Sequence, residues 1–249
     1  MKKQSSDMKG KNILAFDTAL SGINVGFVSR EINQLERYIE TEREQASKLI
    51  PTIQGVLEEA KCGFNDLDLI VSTIGPGSFT GLRIGLCTAR IMSMTLNIPL
   101  IGLSTLDIMR HQYLQELGQV EPSQVFLMLL ETKRKDFYGA FYNAQGNEIG
   151  EPFATSAPVI LEKISEMHQG VYIRIGGDCL ERFKEDIDTD SIDIDFLPDF
   201  QRVAPVLMAR YGAEMFAEKG TQKEPIEPLY LREADVSFSN KPVRKLGKC

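Results

Sequence analysis

The chain has 249 residues, of which 43% are hydrophobic and 25% are charged, and its formal net charge is −7. These proportions allow a buried core and exclude intrinsic disorder, and the length suits two compact lobes. The negative charge argues against a broad nucleic-acid-binding surface, because such surfaces are usually basic. The four cysteines form no CxxC pair, so we expect a reduced, cytosolic setting. The longest unbroken apolar run, at 125–130, is too short to cross a membrane.

The first half of the chain predicts a mixed α/β unit after a flexible extension at 1–11. An apolar segment at 12–18 and two further segments at 23–29 and 34–40, separated by short polar breaks, predict a three-stranded antiparallel meander. Apolar residues at helical spacing then predict a helix over about 45–60. A strand at 67–74, a helix ending near Asn97 and a strand at 98–104 complete the unit.

The second half repeats this order of elements. Residues 124–149 again predict strand, turn, strand and turn, and an offset of 114 places Asp17 on Glu131 and Phe27 on Phe141. A strand running into a glycine turn follows at 171–178, and an amphipathic helix ends near Gly220. We therefore predict two related α/β lobes, at 12–118 and 119–236, the second with fewer helices. Beyond them we expect a flexible tail at 237–249.

Residues 73–90, TIGPGSFTGLRIGLCTAR, lead from a strand into a helix and carry four glycines. A Walker A loop would need Lys and Ser or Thr after its last glycine, whereas Gly81 is followed by Leu82 and Arg83. A dinucleotide-binding loop would need a third glycine where Thr80 stands. Two interpretations remain: an anion site at the N-terminus of the helix, and a tight turn that needs bare backbone, which we favour.

Gly81, Gly85 and Ala89 recur at intervals of four, so they lie on one face of the predicted helix. Each buried helical glycine costs about 0.5–1 kcal/mol relative to alanine, which predicts a compensating close contact on this stripe. The contact could lie within the lobe or between subunits, and the residues alone favour neither. In the second case Leu82, Leu86 and Ile91 are expected to hold the helix on its own lobe.

Four motifs occur in an order that resembles one family. GPGSFTGLRIG follows ILAFDTA and precedes IGLSTLD and EPLYLR, and together they span about residues 12–236. In these motifs the chain closely resembles the bacterial TsaB proteins. The resemblance implies two ribonuclease-H-like lobes, as in the superfamily of acetate kinase, sugar kinases, Hsp70 and actin, which suits the duplicated pattern.

The resemblance implies a subunit rather than an independent enzyme. TsaB proteins pair with the catalytic paralogue TsaD, alongside the ATPase TsaE, to transfer threonylcarbamoyl from threonylcarbamoyl-AMP to the adenosine beside the tRNA anticodon. We accordingly expect a homodimer when the chain is alone, contact with tRNA only through the complex, no membrane association and no cofactor of its own. Whether a nucleotide binds at the partner interface stays open.

The family's pairing surface comprises the helix after the third strand and the helix of the glycine motif, which favours the intersubunit interpretation of the stripe. The resemblance predicts the following partner-binding residues: Gln45, Ser47, Lys48, Gly75, Pro76, Gly77, Ser78, Phe79, Thr80, Gly81, Arg83, Gly85 and Ala89.

One departure argues against independent catalysis. The HxxxH metal motif of the paralogue falls here on Thr105 and Met109, which are poor ligands for hard or borderline divalent metals. We interpret His111 as a polar helix residue and Asp17 as a strand-end residue held by the following turn. The alternative functions are an independent metallopeptidase-like enzyme or small kinase of this fold, and a homodimer with a storage or regulatory role.

Overall fold

The structure is a computed structural model that describes residues 10–20, 22–29, 33–41, 43–132, 134–167, 171–187, 194–200, 202–220 and 225–232. The predicted tail at 237–249 and residues 1–9 of the predicted extension lie outside the described residues, as does His168.

The first lobe is a five-stranded mixed sheet with two helices, α1 and α2, on one face. The strand order is β3-β2-β1-β4-β5, in which β1 to β3 are antiparallel and β4 and β5 run parallel to β1. The central strand β1 is buried along its whole length, as its continuous apolar sequence predicts. The elements are β1 (Ile13–Asp17), β2 (Ile23–Val28), β3 (Gln34–Ile39), α1 (Gln45–Glu59), β4 (Leu69–Gly75), α2 (Phe79–Leu96) and β5 (Leu100–Ser104).

The second lobe repeats this arrangement with the strand order β10-β9-β6-β7-β8. Strands β6 to β8 form an antiparallel meander, and β9 and β10 continue the sheet in parallel with β6. Asp17 and Glu131, which the offset of 114 pairs, are the last residues of β1 and β6. The remaining elements are α3 (Thr105–Leu117), β6 (Gln124–Glu131), β7 (Asp136–Asn143), β8 (Glu148–Ser156), α4 (Ala157–Ser165), β9 (Tyr172–Gly177), α5 (Leu180–Glu185), β10 (Ile194–Phe196) and α6 (Pro205–Lys219).

The two sheets therefore have the topology of ribonuclease-H-like lobes, which confirms the predicted fold class. The lobes share one apolar core, built around α3, to which both sheets and α6 contribute. Helix α6 packs on β1 and β2 of the first sheet, and a Cβ placed on Gly26 of β2 would lie 2.6 Å from the backbone of Pro205. The predicted second lobe, 119–236, thus includes a helix that belongs by packing to the first sheet.

Helix α2 has the predicted limits because both of its ends carry capping residues. The Ser78 side chain accepts a hydrogen bond from the Gly81 N–H at 3.2 Å, and Asn97 adopts a left-handed conformation with φ of 53°. These two residues fix where the candidate surface begins and ends. No helix within the described ranges is both long and apolar enough to cross a membrane.

Candidate partner-binding surface

The glycine turn before α2 packs closely against the end of β1. A Cβ placed on Gly77 would lie 2.4 Å from the carbonyl oxygen of Ala19, and that oxygen accepts a hydrogen bond from the Ser78 N–H at 2.6 Å. Gly75 has a φ of +107°, a conformation that favours glycine. The N–H groups of Gly81 and Leu82 are also bonded within the chain. The turn therefore uses its bare backbone for close packing, which favours the tight-turn interpretation over an anion site.

The small-residue stripe of α2 faces its own lobe. Gly81, Gly85 and Ala89 are buried, and a Cβ on Gly81 would lie 1.9 Å from the Thr18 carbonyl oxygen. A Cβ on Gly85 would lie 2.4 Å from the Thr18 hydroxyl oxygen, which itself donates a hydrogen bond to the Gly81 carbonyl at 2.7 Å. The expectation that the stripe faces a partner is therefore wrong, because Thr18 occupies that space.

Gln45, another predicted partner-binding residue, is also internal. Its side-chain amide donates a hydrogen bond to the Gly22 carbonyl at 3.0 Å, and the residue is only 6% exposed. Gly75 and Pro76 are buried as well. The residues of the predicted set that solvent reaches freely are Ser47, Ser78, Phe79, Thr80 and Arg83, and their role in partner binding stays a prediction.

The opposite face of α2 is both exposed and apolar. Phe79 is 46% exposed, Ile91 64% and Met94 82%, and Arg83 and Cys87 lie between them on the same face. Ile91 was expected to hold the helix on its own lobe, but only Leu82 and Leu86 do so. We call this surface the α2 face: Phe79, Arg83, Cys87, Ile91 and Met94.

A segment from the far end of the chain runs beside the α2 face. Residues 225–232, which we call the strap, have no regular secondary structure. The Leu229 N–H donates a hydrogen bond to the Ile74 carbonyl at 2.7 Å, and Arg90 donates one to the Ile226 carbonyl. Tyr230, 44% exposed, lies with its ring 5.3 Å from that of Phe79. The strap therefore places a further exposed aromatic ring beside the helix.

The cleft between the lobes is acidic. It encloses a cavity of about 380 Å³, whose charged lining residues are Glu131, Asp178, Glu181, Arg182 and Asp199. The guanidinium of Arg182 forms an ion pair with the Glu131 carboxylate at 2.9 Å. Burial raises the pKa of Asp178 to about 6, and the neighbouring Glu131 contributes in the same direction. Among the described lining residues, Arg182 is therefore the one group that could bind a phosphate by charge, and it is already paired.

Two further motifs serve packing. A Cβ on Gly177, in the GGD sequence, would lie 2.2 Å from the Leu129 carbonyl oxygen, so this glycine allows β9 to approach β6. The buried Asp17 carboxylate accepts hydrogen bonds from the Thr73 hydroxyl at 2.7 Å and the Ala19 N–H at 2.8 Å. Both arrangements agree with the strand-end and turn interpretations.

The positions of the paralogue's metal motif offer no ligand set. Thr105 and Met109 are fully buried in α3, and among the described residues no three His, Cys, Asp or Glu side chains group to hold a metal ion. His111 stacks on Tyr211 with ring centroids 4.4 Å apart. Burial lowers the pKa of His111 to about 4, with Arg110 acting in the same direction, so its ring is neutral at physiological pH. These residues do not fit the metal that the paralogue's motif implies.

A protein-family model and a solved structure both match this chain. The sequence model of the TsaD family, described as tRNA N6-adenosine threonylcarbamoyltransferase, matches residues 39–174. The solved structure of YeaZ from Pseudomonas aeruginosa superposes with a TM-score of 0.70 at 21% identity, covering 89% of this chain and all of that one.

Curated relatives identify the family more specifically than the family model does. The tRNA threonylcarbamoyladenosine biosynthesis protein TsaB of Escherichia coli is 27% identical over 88% of this chain and 94% of its own length. An uncharacterized protein of Mycobacterium tuberculosis is 32% identical over 52% of this chain, and the chain spans 58% of that relative's length. The chain belongs to the TsaB family, within the wider group that the TsaD sequence model describes.

Proposed function

We propose that the chain is a non-catalytic dimerisation and activating subunit of a tRNA-modifying complex. It pairs with a TsaD-like catalytic paralogue, which transfers threonylcarbamoyl from threonylcarbamoyl-AMP to the adenosine beside the tRNA anticodon. The observation that carries the proposal is the α2 face, where Ile91 and Met94 are largely exposed next to the half-exposed Phe79.

The exposure of these large apolar side chains supports docking at this face. Fully burying one such side chain is worth about 1.5–3 kcal/mol, and large exposed apolar patches commonly mark interaction sites. Of the seven large hydrophobic side chains that are exposed among the described residues, five lie on α1, α2 or the strap: Ile50, Phe79, Ile91, Met94 and Tyr230. The partner helix would therefore cover the side of α2 opposite its glycine stripe.

The chemistry of the cleft supports a role without catalysis. Among the described lining residues the carboxylates outnumber the single guanidinium, which is paired, and the metal-motif positions carry Thr105 and Met109. An independent kinase or metallopeptidase would need phosphate-binding or metal-binding groups at these places. In the proposal the TsaE-like ATPase and the tRNA join through the complex, in the cytoplasm, and a nucleotide at the partner interface is compatible with it.

Complex formation tests the proposal. Gel filtration with light scattering is expected to show a homodimer for the chain alone and a heterodimer after mixing with the TsaD-like paralogue of the same organism. A second copy covers the α2 face when the paralogue is absent, because an apolar helix face is costly to leave in water. A homodimer that persists unchanged after mixing would contradict the proposal and favour the storage or regulatory alternative.

A further inference from the structure

The strap is fixed to the first lobe at several points along its length. Ile226 packs into the core under α1 and α2, and its carbonyl accepts a hydrogen bond from Arg90. The Leu229 N–H is bonded to the end of β4. At its last described residue, Arg232 forms an ion pair with Asp136 of the second lobe. The strap therefore holds a defined position beside α2.

Tyr230 and Phe79 together hold the side chain of Arg83. The Arg83 guanidinium lies 3.7 Å from the centroid of the Phe79 ring, and its Nε donates a hydrogen bond to the Tyr230 hydroxyl at 3.1 Å. A guanidinium over an aromatic ring is attracted by the electron-rich face of the ring. The contact with the Tyr230 hydroxyl uses the Nε of Arg83, so it does not occupy the two terminal nitrogens of the guanidinium.

The charge at this corner is not balanced within the described part of the chain. No carboxylate there forms an ion pair with Arg83 or with Arg90, whereas Arg37, Arg174, Arg182 and Arg232 do form such pairs. This contrasts with the chain's overall charge of −7. A partner that carries carboxylates opposite Arg83 would complement it.

We infer that the strap is the third component of the docking surface, beside α1 and α2, and that Tyr230 positions Arg83 for a carboxylate on an apolar partner helix. The inference rests on the proposed function and extends it by naming the chemistry of the partner's contact. The α2 face forms a ridge of apolar side chains along a helix, against which a second helix can pack, and the strap is continuous with this face. Because the arginine is already held, less side-chain freedom is lost on binding.

The test compares affinities for the purified TsaD-like paralogue in full-length chains. We expect Tyr230→Ala to weaken binding about tenfold, and Tyr230→Phe, which keeps the ring, to weaken it by about two- to threefold. Arg83→Gln is expected to weaken binding and to reduce its dependence on salt, because one charged contact is lost. Tyr230→Ala should melt as the wild-type chain does, since Tyr230 is 44% exposed.

Two reference variants separate the inference from the proposed function. Met94→Glu perturbs the α2 face directly. Ile149→Ala, on the second lobe, changes a side chain whose exposure is similar to that of Tyr230, and it should bind as the wild-type chain does. If Met94→Glu loses binding while Tyr230→Ala and Arg83→Gln bind as wild type with unchanged salt dependence, the inference is overturned and the docking face stands. If the wild-type chain does not bind the paralogue, or Met94→Glu binds normally, the proposed docking itself fails.

Discussion

A chain carrying Gly85→Leu is expected to unfold at a clearly lower temperature than the wild-type chain. A Cβ at this position would lie 2.4 Å from the Thr18 hydroxyl oxygen, which is buried and bonded to the Gly81 carbonyl. Inserting bulk into a well-packed site costs typically ~1–3 kcal/mol or more, whereas replacing a helical glycine gains at most about 1 kcal/mol. For a chain of this length the net loss corresponds to a decrease in melting temperature of roughly 2–8 °C.

Gly55→Ala is the matched control for this experiment. Gly55 lies in the middle of α1, and apart from its chain neighbours and the nearby backbone of its own helix, a Cβ placed on it has no atom within 4 Å. The substitution should therefore raise stability by about 0.5–1 kcal/mol. Thermal unfolding of the two isolated variants measures the difference. If Gly85→Leu melts as the wild type does and yet fails to bind its partner, the stripe faces the partner after all.

Met94→Glu is expected to weaken association with the TsaD-like paralogue by about a hundredfold without changing the melting temperature. Met94 is 82% exposed in the isolated chain, so a carboxylate there stays in water. In the complex the same carboxylate would be buried without a partner, which costs about 2–5 kcal/mol. A loss of about 2.7 kcal/mol corresponds to a hundredfold weaker binding.

Val159→Glu provides the control for Met94→Glu. Val159 is an exposed apolar residue on a helix of the second lobe, 37% exposed, and lies outside the proposed surface. Titration calorimetry with the paralogue should give the wild-type affinity for this variant. Equal affinities for the two variants would show that the partner binds elsewhere.

The sequence predicts the elements of this surface better than their relative placement. The limits of α2 follow from local chemistry, because Ser78, within the motif, caps its start and Asn97, a few residues beyond the motif, caps its end. The spacing of Gly81 and Gly85 likewise predicts a bare stripe. The direction in which that stripe faces depends on its contact with Thr18. Thr18 is 63 residues away from Gly81 in sequence, so no local pattern predicts this contact.

The position of the strap likewise depends on contacts that local sequence patterns do not predict. Its prolines predict an extended segment, but its position depends on a hydrogen bond between Arg90 and Ile226, 136 residues apart. The exposed pair Ile91 and Met94 was also missed, although their spacing on the face opposite Gly81 and Gly85 could have indicated it. Helical periodicity separates two faces, and packing decides which of them remains in solvent.

Reconstitution of the modification reaction tests the central claim most directly. The TsaD-like paralogue and the TsaE-like ATPase of the same organism are incubated with tRNA and threonylcarbamoyl-AMP, with and without this chain, and threonylcarbamoyladenosine is measured after digestion of the tRNA. We predict that the modified nucleoside forms when the wild-type chain is present, and that it falls to background without the chain or with the Met94→Glu variant. Full modification in the absence of the chain would contradict the account.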